Sequence, residues 1–138
     1  MKIGLNSLCP CGSRQKYKKC CKILHNGANA KTALSLMKSR YTAFVLNDCN
    51  YIIKTTHTQN CDYTEDIEVW KASISHFSTM SDFKKLEILD FIETSEESFV
   101  TFKATIYQNS DDISFIEKSR FLKEQGRWVY HSGVFLDA

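Results

Sequence analysis

The sequence predicts an α+β protein: a small cysteine-rich module followed by a cone of about three helices packed on a curved, antiparallel, four-stranded sheet. Three observations carry this. Four of the six cysteines fall inside "CPCGSRQKYKKCC" at residues 9–21. From Thr32 onward apolar side chains recur at helical spacing, and from residue 84 the period shortens to two. A hydrophobic fraction of 43%, with nine Phe, six Tyr and two Trp, is enough to fill one core.

The elements follow in order. "HNGANA" at 25–30 is small, polar and Gly-containing, so it reads as a linker that divides a module of residues 1–28 from a domain of 29–138. Thr32 is a good helix cap, and Leu34, Met37, Tyr41, Phe44 and Val45 mark one face of a helix of about 14 residues. Asp48 is placed to cap a second, short helix through Tyr51, Ile52 and Ile53. Asp62 and Glu65 have capping-box spacing for a third, whose buried face is expected to be Ile67, Trp70, Ile74 and Phe77. Val100, Phe102, Ala104 and Ile106 then alternate with Thr101, Lys103 and Thr105, the pattern of a half-buried strand. "LEILDFIE", "DISFIEKSRFLKE" and "RWVYHSGVF" read as further strands, with turns at "TSEES", "NSDD" and "EQGR". Short turns in series make a meander, and the three helices must bury their apolar faces on it.

The opening "MKIGLNSL" lacks the apolar run of about 7 to 15 residues of a secretory signal, and no stretch approaches the roughly 18 apolar residues of a membrane span. The expectation is a cytoplasmic protein, and in that reducing compartment clustered cysteines serve metal or redox chemistry rather than structural disulfides. Cys9, Cys11, Cys20 and Cys21 supply the four soft ligands of a structural zinc site. Pro10 restricts the chain between the first two, and Gly12 with Ser13 lets the backbone turn toward the sulfurs. Cys20 and Cys21, on a helical turn, diverge enough to reach two corners of a tetrahedron. Arg14, Lys16, Lys18, Lys19 and Lys22 favour thiolates and also form a basic contact surface. His25 reads as an exposed linker residue or a substitute ligand.

These residues resemble the SEC-C motif, C-x-C-x8-C followed by Cys or His, throughout its length, including the Gly-Ser after Cys11 and the aromatic Tyr17. The resemblance implies one structural zinc per chain. Beyond it, "ALSLMKSRYTAFVLNDCNYIIKTTHTQ" at 33–59 is similar to a segment typical of the YchJ-like family, which joins a SEC-C motif to a domain of the nuclear-transport-factor-2-like fold. The tryptophan and proline flanking the histidine of that pattern are Thr56 and Thr58 here. Such a fold implies a pocket between sheet and helices, and no particular activity.

Candidates for that pocket are Arg40, Tyr41, His57, Trp70 and His131. Arg40 suits a carboxylate or phosphate, with a salt bridge to a carboxylate of the second half as its ordinary role. His57 would act as a base if a carboxylate such as Asp48 oriented it, and otherwise caps or lies on the surface. His131 is placed on the strand face opposite Trp128 and Tyr130, which read as core. Cys49 and Cys61 have no metal-like spacing and read as core or near-core. No phosphate loop, Ser-His-Asp order or paired-histidine helix occurs.

Charge is asymmetric: residues 1–47 hold nine basic side chains and no acid, whereas residues 48–138 hold nine basic and sixteen acidic ones. The first functional reading is therefore a non-enzymatic interaction protein whose basic module contacts an acidic protein or nucleic acid. The alternative is a small-molecule-binding or enzymatic protein that uses the pocket.

Overall fold

The computed structural model describes residues 3–137; Met1, Lys2 and Ala138, which the expected division into 1–28 and 29–138 includes, lie outside it. The chain opens with a 3-10 turn, η1 (Tyr17–Lys19), and a short α1 (Cys21–His25). Three helices follow, α2 (Ala33–Leu46), α3 (Cys49–Lys54) and α4 (Ile67–Met80). The strands are β1 (Asp82–Glu93), β2 (Glu97–Gln108), β3 (Asp111–Asp112), β4 (Phe115–Glu124) and β5 (Arg127–Leu136). Among the described residues no helix is long and apolar enough to cross a membrane.

The helix starts follow from side-chain caps. Thr32 accepts from the Ser35 amide at 3.0 Å, and Asp48 accepts from the Tyr51 amide at 3.2 Å. The third expected cap is one turn late: Asp66, not Asp62, accepts from Val69 N at 3.2 Å. Asn60 is the reason, because its side-chain oxygen takes the Asp62 amide at 2.8 Å and its carbonyl takes the Tyr63 amide at 3.0 Å. That turn holds 60–63 out of the helix. Trp70, Ile74 and Ser78 are then the buried positions of α4, while Ile67 is exposed.

Helix α2 departs from the expected single stripe. Five consecutive residues, Ser39 to Ala43, are all buried, so the helix has no free side in its middle. It packs on the sheet through β1, β2 and β5, and also against α1, α3 and α4. A helix enclosed in this way needs no amphipathic pattern.

The four long strands form an antiparallel sheet in the order β1-β2-β4-β5, and the two residues of β3 fold back on Tyr107 and Gln108 of β2. Val100, Phe102, Ala104 and Ile106 all face the core from β2. Register shifts interrupt β1 between Phe83 and Lys85 and between Ile88 and Asp90, and the β4–β5 pair between Arg120 and Phe121. Bulges of this kind bend and twist a sheet, which here curves round the helices.

Candidate metal centre and cavity

The cysteine loop closes on itself. The Cys9 amide donates to the Gln15 carbonyl at 2.8 Å, and Gly12 donates back to the Cys9 carbonyl at 3.2 Å. Gly12 takes φ +84°, a left-handed conformation that a Cβ would strain. The second pair arrives with Cys21 as the first residue of α1 and Cys20 as the residue before it. All four sulfurs lie within 4.8 Å of one another, and those of Cys11 and Cys20 are 3.6 Å apart. A tetrahedral site with metal–sulfur bonds of about 2.3 Å has sulfur–sulfur edges of about 3.8 Å, so the cluster fits a soft cation. Cys9, Cys11 and Cys21 are buried.

Two hydroxyls support the sulfurs from outside. Ser13 Oγ lies 3.1 Å from Cys20 Sγ, and Thr42 Oγ1, reaching across from α2, lies 3.7 Å from Cys9 Sγ. Among themselves the thiols divide their protons unequally. Hydrogen bonds from Cys11 and Cys21 hold Cys9 well below the usual thiol range, whereas those it makes to Cys11 and Cys9, together with burial, push Cys21 above it.

His25 is neither a ligand nor a free linker residue. Its Nε2 donates to the Ser39 carbonyl at 2.8 Å, so Nδ1 accepts from the Tyr17 hydroxyl at 2.7 Å. Its ring packs on Tyr51 with centroids 4.6 Å apart. Sequence reasoning missed this because the linker begins after His25, at the end of α1, rather than at it. Arg14, Lys16, Lys18 and Lys19 are exposed and Lys22 is half-buried; none has an ion-pair partner among the described residues.

Between helices and sheet lies a cavity of about 670 Å³, lined by Arg40, Tyr41 and Trp70 of the expected residues but not by His57 or His131. His57 is buried elsewhere. Its amide donates to the Tyr130 carbonyl at 2.8 Å, its Nδ1 accepts from Gln59 N at 2.9 Å, and its Nε2 faces Glu124 at 2.9 Å. Asp48 does not orient it, being occupied as the cap of α3. His131 packs on His57 with ring centroids 4.9 Å apart, at the residue that the β4–β5 bulge leaves unpaired.

Among the described residues Arg40 makes no salt bridge, contrary to its ordinary role. Nη1 donates to the Ile52 carbonyl (3.0 Å), Thr55 Oγ1 (2.7 Å) and Thr56 Oγ1 (3.1 Å), and Cζ sits 4.7 Å from the centre of the Tyr130 ring. Burial brings the guanidinium down to about 10, so it stays cationic at neutral pH. Tyr130 packs against the core as expected and also lines the cavity, and its hydroxyl donates to Glu117 Oε2 at 2.9 Å. Ser119 donates to the same oxygen. Gly133 makes this possible: a Cβ there would lie 2.2 Å from Glu117 Oε2 and 2.7 Å from the Tyr130 hydroxyl. Glu117 escaped the sequence reading, although the period-two run Phe115, Glu117, Ser119, Phe121 places it on the inward face of β4. Cys49 is half-buried, near the core as expected, whereas Cys61 is exposed at the cavity rim.

The family description "YchJ, middle NTF2-like domain" matches residues 32–133, and "SEC-C motif" matches 6–22. The chain belongs to the YchJ-like family. A UPF0225 protein of Vibrio parahaemolyticus is 40% identical over 132 residues, covering 94% of this chain and 75% of the relative. One from Streptomyces coelicolor is 38% identical over 133 residues, covering 94% and 96%. The solution structure of a SEC-C motif containing protein from Rhodopseudomonas palustris superposes with TM-score 0.78 at 31% identity, over 94% of this chain and 98% of that one. An NTF2-like protein from Cytophaga hutchinsonii (TM-score 0.56, 19% identity, 77% and 95% covered) shares the fold alone. As the family resemblance implies, a cysteine cluster suited to metal thus precedes an NTF2-like cone.

Proposed function

We propose that this YchJ-like chain is a small-molecule-binding protein whose cone cavity receives the ligand and whose module of residues 1–28, closed around one structural zinc, braces the domain of 29–138. The cavity carries this reading. A space of about 670 Å³ inside a chain of 138 residues, walled by aromatic side chains yet holding Arg40 and Glu117, has the size and mixed lining of a ligand site. Cys9, Cys11, Cys20 and Cys21 would fill all four zinc positions, which leaves the metal no open site for chemistry.

Mass spectrometry of the natively purified protein tests the cavity. A small molecule should travel with the wild type and be absent from Ser73→Trp, which plugs the exposed rim; equal occupancy of both would refute the assignment. Metal analysis tests the module: about one zinc per chain, lost in Cys9→Ser and Cys20→Ser.

The unpaired basic side chains from Arg14 to Lys22 favour a second, compatible reading, in which the module contacts an acidic protein or nucleic acid in the cytoplasm. Capture of such a partner should weaken steeply with salt, and nuclease treatment distinguishes the two kinds.

A further inference from the structure

Resting on the cavity reading, we infer that the ligand is an amphipathic anion, with a ring-sized apolar body held by the aromatic walls and one carboxylate-like group received by Arg40. Arg40 is 9% exposed and lines the cavity. Among the described residues no carboxylate comes within 4.0 Å of its nitrogens. Among the described residues only Nη1 has hydrogen-bond partners; Nε and Nη2 have none, on a residue that lines the cavity. A guanidinium offers a planar fork that suits a carboxylate, and half of this fork is open.

The carboxylate that the sheet contributes to the cavity does not close that fork. Glu117 is held on the β5 side by the Tyr130 and Ser119 hydroxyls, in the space that Gly133 leaves. Tyr130 separates the two charges, with its ring against Arg40 and its hydroxyl on Glu117. The remaining walls include Phe44, Trp70, Phe77, Phe83 and Phe102, and Asp62, the other carboxylate of the lining, is exposed to solvent.

These surroundings select the ligand class. A neutral apolar molecule would strip water from the unpartnered N–H groups of Arg40 and return no hydrogen bond, which is unfavourable for a charged donor. A small inorganic anion would satisfy Arg40 and leave the aromatic walls wet. A molecule with both parts meets both requirements.

Three probes with one ring system test this on the full, metal-loaded chain: 1-naphthoate, 1-naphthalenemethanol and 1-naphthalenemethylamine, titrated by calorimetry at neutral pH. The wild type should bind the carboxylate about tenfold or more tightly than the alcohol, as expected for a hydrogen-bonded charge pair. The Arg40 Nε–H resonance should shift on adding naphthoate. Arg40→Met, which keeps much of the length and removes the charge, should lose most of the preference. Because Arg40 also holds the end of α3, the wild-type ratio and the Nε resonance decide the matter even if that variant fails to fold. Equal binding of carboxylate and alcohol, tighter binding of the amine, or a naphthoate complex with an unmoved Nε resonance would overturn the anion inference and leave the cavity reading standing. Binding of none of the three would overturn both.

Discussion

His25, the last residue of α1, donates from Nε2 to the carbonyl of Ser39 in the middle of α2, 2.8 Å away. With the Tyr17 hydroxyl on its other nitrogen, this one ring ties the cysteine module to the cone. His25→Ala should lower stability by about 1 to 3 kcal/mol, the sum for two part-buried hydrogen bonds, while the metal content is unchanged. Thermal denaturation with metal analysis checks this; a variant as stable as wild type would show that the ring does not brace the two parts.

Gly133→Ala tests whether the Glu117–Tyr130 pair depends on a missing side chain. Its Cβ would lie 2.2 Å from Glu117 Oε2, so the carboxylate must leave the Tyr130 hydroxyl. A loss of about 0.5 to 1.5 kcal/mol is expected from the hydrogen bond that Glu117 gives up, read as a lower denaturation midpoint. A Gly133→Ala protein as stable as wild type would show that Glu117 has other room.

The start of α4 gives a clean comparison. Asp66→Ala should cost about 1 kcal/mol, because Asp66 caps Val69, whereas Glu65→Ala should cost clearly less in the same urea titration.

His131 is held below its usual range, first by burial and then by Arg120 and His57. A lowered histidine favours the neutral form in the fold. Its contribution to stability is therefore full above the unfolded value near 6.5 and is lost as pH falls through the lower folded value. Histidine resonances followed by NMR should place the His131 midpoint below 6.5, and a midpoint above it would contradict the packing.

Much of this architecture was legible locally. Caps at Thr32 and Asp48, the alternation of Val100 to Ile106 and the cysteine spacing depend on neighbours within a few residues, and pattern reading reaches that far. What it missed depends on distant partners. Asp62 and Glu65 have the right spacing, yet the turn at Asn60 decides where α4 begins. Arg40 looks destined for one of sixteen acids, yet α3, Thr55, Thr56 and Tyr130 reach it first. His57 and His131 meet each other and Glu124 rather than the cavity, because backbone bonds between the α3–α4 loop and β5 set their direction.

Helix α2 carries neighbours with opposite duties: Arg40 and Tyr41 line the cavity, while Thr42, the next residue, touches Cys9 of the cluster. The helix is thus a party wall. Cutting the chain at the linker would strip Ser39, Thr42 and Leu46 of the partners they meet in the cysteine module and leave one side of that wall standing in water. Two sequence motifs, each recognisable alone, share a single load-carrying helix, and neither should be expected to stand without the other.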